Sequence, residues 1–222
     1  MAKLKMARKS TFVDMTAMCD VAFLLLTFFI LATKIKPPEA VEVRTPASTS
    51  TTQIPDNFML MSLSKDGRVY FNIENLNARE ALINYLNENK GLGLTAKEIQ
   101  NFKEANSIGV PFNQLKSYLD LSVADRTKFD KKAPGIPVDT TGNFETNELA
   151  YWIRATRMLN PDYLIAIKAD GAAAYPYVKK IIGTLGHQKI YRFNFITESK
   201  GIPPGSPLAQ ERAEKIKKGI VE

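Results

Sequence analysis

Asp20 is the residue of this sequence whose setting most demands a chemical explanation. It closes the stretch Phe12-Val-Asp-Met-Thr-Ala-Met-Cys-Asp20 and is followed by the uncharged run Val21 to Thr33. A carboxylate in the middle of a membrane helix costs about 3 kcal/mol on insertion scales. A neutral residue would anchor the chain more cheaply, so a side chain that can bind and release a proton points to proton transfer. Thr16, four residues before Asp20, and Thr27, seven after it, fall on the same helical face. Thr16, Asp20 and Thr27 thus form a thin polar stripe, while Leu25, Leu26 and Phe29 point elsewhere. One helix cannot shield Asp20 from lipid, so a partner or a second copy must. The competing reading has the threonines bonding back to their own helix and Asp20 at the headgroup level.

The element that positions these residues is a helix over 12–34. The run Val21–Thr33 alone is too short to span a bilayer, but extended back to Phe12 it reaches roughly 30 Å, the depth of a hydrocarbon core. A cleaved signal peptide fits the basic start and the short apolar run. It does not fit Asp14 and Asp20, and no small-x-small cleavage site follows. A lipoprotein signal fails because Cys19 precedes the apolar run. A soluble core helix fails because Leu24-Leu-Leu26 and Phe28-Phe29 make it apolar on every face. Lys3, Lys5, Arg8 and Lys9 in the first residues, against mixed charges after Thr33, put the N-terminus (1–11) in the cytoplasm.

Composition narrows the rest. With 222 residues, 24.8 kDa and a charged fraction of 24%, most of the chain is water-soluble, which excludes a polytopic membrane protein. The formal charge of +7 is spread along the chain and interleaved with acids, so no nucleic-acid surface is expected; attraction to anionic lipid or cell-wall polymer is an equally good use of it. Cys19 is the sole cysteine, so no intrachain disulfide can form and stability must come from packing.

Residues 35–57 read as a linker: Pro37-Pro38 stops the helix, and Thr45 to Pro55 is rich in Pro, Ser and Thr. Val41-Glu-Val alternates like a short strand that docks on a partner, but a flexible tether is the simpler expectation. A folded domain should occupy 58–200. Phe58–Ser64 and Arg68–Asn72 around Lys65-Asp-Gly67 predict a β-hairpin. Helices are expected over Ala78–Asn89, Asn147–Leu159 and Tyr175–Leu185, with strands at Tyr163–Lys168 and Ile190–Ile196. These make a single membrane helix plus an α+β domain, a small mixed sheet packed with helices. Between about 91 and 146 lies a helical insertion, with a capping box at Thr95-Ala-Lys-Glu98 and further helices near 111–119 and from Ser122. It either extends a partner surface or decorates the fold. Residues 201–222 form a polar tail.

Catalytic constellations, cofactor sites and metal sites are not expected. The chain has one histidine, His187, far in sequence from its one cysteine, and no nucleophile elbow accompanies it. It reads as a surface residue. Asp170 reads as a turn residue capping the next helix.

The segment Val13-Asp-Met-Thr-Ala-Met-Cys-Asp20-Val-Ala-Phe-Leu-Leu-Leu-Thr-Phe-Phe29 resembles the membrane signature of the ExbD/TolR family, and Val41-Glu-Val-Arg-Thr-Pro46 resembles that family's segment just outside the membrane. Lys168-Ala-Asp170 followed by Tyr175 is similar to its strand-to-helix turn. Ala17 departs from the pattern, which often has Pro there. The resemblance implies an ExbD-like motor subunit of a Gram-negative inner membrane, single-pass, with a periplasmic C-terminal domain. It implies two copies inside an ExbB-like multi-helix ring, with Asp20 as proton carrier. The output would drive a TonB-like transducer of outer-membrane transport or a Tol system. Two other readings stand beside it: a membrane-tethered adaptor that conducts no protons, and a flagellar-stator-type subunit, which normally has a longer cell-wall-binding domain.

Overall fold

A computed structural model describes residues 15–32, 43–48, 57–141, 143–199 and 206–207. It divides into two compact units, 1–38 and 39–222. The expected cytoplasmic residues 1–11, Asp14 and tail residues 208–222 lie outside the described residues. The first unit holds α1, Met15–Ala32, whose 18 residues have a mean hydropathy of 2.2 and of which none is buried.

In the second unit the strands are β1 (Ala47–Ser48), β2 (Phe58–Leu63), β3 (Val69–Ile73), β4 (Leu164–Ala169), β5 (Asn194–Phe195) and β6 (Glu198–Ser199). The helices are α2 (Leu76–Lys90), α3 (Ala96–Glu104), α4 (Phe112–Asp120), α5 (Val123–Asp130), α6 (Glu148–Leu159) and α7 (Tyr175–His187). The fold is therefore one apolar N-terminal helix followed by an α+β unit.

The main sheet runs β3-β2-β4-β5 and is mixed: β2 and β3 are antiparallel, whereas β2–β4 and β4–β5 are parallel. The hairpin follows from its alternation and its turn, where Gly67 takes φ +83° and its N–H bonds the Ser64 carbonyl. A Cβ at Gly67 would also strike the Tyr177 ring at 2.5 Å. Side chains alternate across a strand, and the register stacks them in rows. Ile73, Met59 and Ile165 form one row, Phe71, Met61 and Ile167 the next, and Val69, Leu63 and Ala169 the third. All nine are buried. They pack in one core with Leu82, Ile83 and Leu86 of α2, Leu149, Trp152 and Ile153 of α6, and Ile181 and Leu185 of α7.

The segment 91–146 does more than decorate. Ile108 bridges Phe71 of β3 through two backbone bonds of 2.8 Å, and the Ile136 N–H bonds the Val69 carbonyl at 2.8 Å. The free edge of β3 is thereby covered by the chain's own backbone. Phe102, Ile108, Val110, Leu115 and Leu119 enter the same core. Trp152 is fully enclosed, stacked on Phe102 (ring centroids 6.0 Å) and Phe112 (5.2 Å) and tilted against Phe71 (5.3 Å). Gly109 lies so close over Tyr70 that a Cβ there would fall 2.2 Å from its ring. The capping box is formed, with the Thr95 N–H donating to Glu98 Oε2 at 2.6 Å and the Glu98 N–H to Thr95 Oγ1 at 3.4 Å.

Two other expectations change. The described part of the linker, 43–48, is docked on the domain: Val43 is buried, the Arg44 N–H donates to Asp170 Oδ2 (3.2 Å), and the Gly171 N–H to the Arg44 carbonyl (2.9 Å). β1 then pairs in parallel with β6. The last strand is also shorter than its alternation suggests. Ile190 is spent on the end of α7, where its N–H reaches the Leu185 carbonyl, and only Asn194–Phe195 pairs with β4.

Candidate functional site: the polar stripe of the membrane helix

α1 places Thr16, Asp20 and Thr27 on one helical face, as four- and seven-residue spacings require. From Thr16 to Thr27 is about 16 Å along the axis, and Asp20 lies about 18 Å from the Ala32 end, at ~1.5 Å per residue. Thr27 Oγ1 donates to the Leu24 carbonyl at 2.9 Å, so this hydroxyl is engaged by its own helix. Thr16 also has a partner within the structure. Asp20 is exposed, between Cys19 and Val21, and the surface around it consists of Met18, Val21, Phe23 and Leu24, each more than half exposed. In water such a helix would present an apolar surface on all sides, which a bilayer removes. The chemical capacity of the stripe is therefore narrow: one ionisable carboxyl, flanked by hydroxyls, on an element otherwise suited to lipid. Nothing on α1 buries that carboxyl.

The soluble unit holds polar groups that sequence reading missed. Asp130 is 8% and Arg126 5% exposed. The Tyr70 hydroxyl donates to the Asp130 carbonyl (3.3 Å), and Arg126 Nη1 donates to the Asn101 carbonyl (2.6 Å). Burial pushes the Asp130 carboxyl up from the ordinary carboxylate range, against a hydrogen bond from Tyr118 and the attraction of Arg126, which pull it down. Burial likewise raises the Tyr118 phenol. Asp130 Oδ1 and Arg126 Nε have no hydrogen-bond partner. The four side chains tie α4 and α5 to β3 and read as a structural cluster.

Asp170 holds a turn rather than capping α7. Its Oδ1 accepts from the Ala172 N–H (2.8 Å) and its Oδ2 from Arg44, backbone bonds that hold its carboxyl below the usual range. The N-cap of α7 is Ala174, with no side-chain cap and Pro176 in the first turn. His187, at the end of α7, is exposed with Nε2 3.0 Å from the Thr140 carbonyl. Among the described residues no cluster of three or more His, Cys, Asp or Glu could hold a metal ion.

An apolar N-terminal helix carrying one acid, joined to a small α+β unit, defines a membrane-anchored protein with a soluble working domain. Residues 7–108, a little under half of the chain, match the family model described as Biopolymer transport protein ExbD/TolR, and over that stretch the chain is similar to the ExbD/TolR family. The matched stretch includes α1, β1, the hairpin, α2 and α3, and ends at Ile108, where the chain meets the edge of β3. No curated protein and no solved structure matches the chain.

Proposed function

We propose that this chain is the ExbD-like subunit of an inner-membrane motor driven by the proton motive force, with Asp20 as the group that takes and releases the proton. The observation that carries the reading is Asp20 on α1: an ionisable side chain on a helix otherwise fit for lipid, inside the stretch that matches the family. Because α1 buries none of its own residues, Asp20 must be enclosed by other helices. An ExbB-like multi-helix ring and a second copy of α1 fill that requirement. Thr16 and Thr27 extend its polar face. The N-terminus is cytoplasmic, on the basic start, and the domain faces the periplasm of a Gram-negative envelope, where movement is passed to a TonB-like transducer or a Tol-type system.

Asp20→Asn tests this. Asn keeps the size and much of the hydrogen bonding but carries no exchangeable charge. Expected is normal assembly with the ring partner and loss of energy-dependent transport or envelope maintenance by at least an order of magnitude. A tethered adaptor, in which Asp20 only pairs with a neighbouring helix, would keep its activity in this variant, and that result would remove the motor reading.

A further inference from the structure

A second site lies in the soluble unit, away from the Asp130 cluster. The end of α6 and the turn after α7 flank an open surface hollow of about 300 Å³ lined by Arg154, Arg157, Met158, Pro161, Gln188, Lys189 and Ile190, at the lower end of the size range of small-ligand sites. Three of its side chains are cations and none is an acid. Arg154 and Arg157, three residues apart, share one face of α6, and Arg154 lies over the Phe144 ring at 4.9 Å. Neither Arg157 nor Lys189 has an ion pair or side-chain hydrogen bond among the described residues. The Gln188 amide is committed to the Ala150 carbonyl at 2.9 Å, which fixes the wall between them.

Lys189 is set by an unusual backbone. The Lys189 N–H bonds the Gly186 carbonyl and the Ile190 N–H the Leu185 carbonyl, both at 3.0 Å, the two bonds of a Schellman helix end. The position with left-handed φ in that motif is normally glycine; here it is Lys189 at φ 57°. A cation near a helix C-terminus is favoured by the dipole, which explains one lysine. It does not explain three cations around one hollow without a counter-charge.

We infer that the Arg154–Arg157–Lys189 hollow binds a phosphate group, and that its source is the headgroup of an anionic lipid. Guanidinium forks match the oxygens of a phosphate, and the apolar lining of Met158, Pro161 and Ile190 suits the apolar atoms next to it. The covalent path favours the lipid source: residues 33–42 are all that separate the end of α1 from the docked Val43, a reach of no more than about 40 Å at ~3.6 Å per residue. On the proposed anchoring of α1 in the membrane, on which this inference rests, that reach keeps the domain at high effective concentration relative to anionic headgroups.

The test uses the full chain in nanodiscs and follows acylation of the Lys189 amine by mass spectrometry. Discs containing phosphatidylglycerol should slow labelling several-fold relative to pure phosphatidylcholine, and Arg157→Gln should abolish the difference. Arg154→Gln, an exposed position, serves as the second variant if Arg157→Gln lowers the melting temperature. Slowing by inorganic phosphate in phosphatidylcholine discs, without a phosphatidylglycerol effect, would keep the phosphate site and overturn the lipid source. Equal labelling under all three conditions, or protection that survives both substitutions, overturns the site itself.

Discussion

Asp130 and Asp20, two carboxyls in apolar surroundings, are treated in opposite ways. Asp130 is enclosed by its own domain, with Tyr118, Tyr70 and Arg126 supplied by β3, α4 and α5. Asp20 stands on a helix that buries nothing. The first is housed within one chain, although its Oδ1 has no hydrogen-bond partner there. The second is an open valence, a costly group with its housing left to other molecules. A carboxyl housed internally is read as structure; one left unhoused on a membrane helix is read as assembly and proton exchange.

That contrast can be broken in steps. The largest effect belongs to the domain core: Trp152→Ala should cost about 3–5 kcal/mol, as deletion of a buried aromatic does, seen as a lower melting temperature of the soluble unit. The helicity of the membrane anchor should not change with it. Next, Asp130→Ala leaves the buried Tyr118 hydroxyl without its hydrogen bond and the Arg126 guanidinium without a nearby opposite charge, at about 2–3 kcal/mol. Asp20→Ala should leave the domain's melting temperature where it was. If the two substitutions destabilise the domain alike, the distinction between internal and external housing is wrong.

The smallest effect is one of pH. Burial raises the Asp130 carboxyl, so the folded domain holds that proton more tightly than the unfolded chain. Its contribution is full below the unfolded value of about 4 and is lost as pH rises through the folded value. Glu98, Asp139 and Asp170 are shifted downward by their hydrogen bonds and run the other way, contributing above about 4 and fading as pH falls. Subtracting the stability–pH curve of Asp130→Asn from that of the native chain isolates the first group. The difference should decline with rising pH, and a flat difference would show that Asp130 is not held as the structure implies.

Much of the fold could be read from local chemistry. The hairpin over 58–72 carries both an alternation of period two and an Asp-Gly turn, and the α3 start carries a capping box, so short-range signals decide them. α1 is legible for the same reason, through apolar length and its misplaced acid. What escaped were long-range pairings. Ile108 and Ile136 seal β3 through backbone bonds, which no side-chain period announces, and the expected add-on therefore proves to be part of the core. Asp170 was expected at a helix start, yet its carboxyl reaches back to Arg44 across 126 positions. The strand at 190–196 has the right alternation, but the helix end at Lys189–Ile190 takes its first residues. Of the candidate stripe, the spacing was legible and the Thr27–Leu24 bond was not.

The sole tryptophan of the sequence sits where α3, α4, α6 and β3 meet, its indole N–H unpartnered and its ring flanked by three phenylalanines. The molecule therefore comes with an optical gauge at the seam between insertion and sheet. Emission from this indole should be blue and poorly quenched by iodide while the seam is shut, and should redden as soon as the helices peel away. Any strain that reaches the domain through its tether can be watched there without attaching a dye.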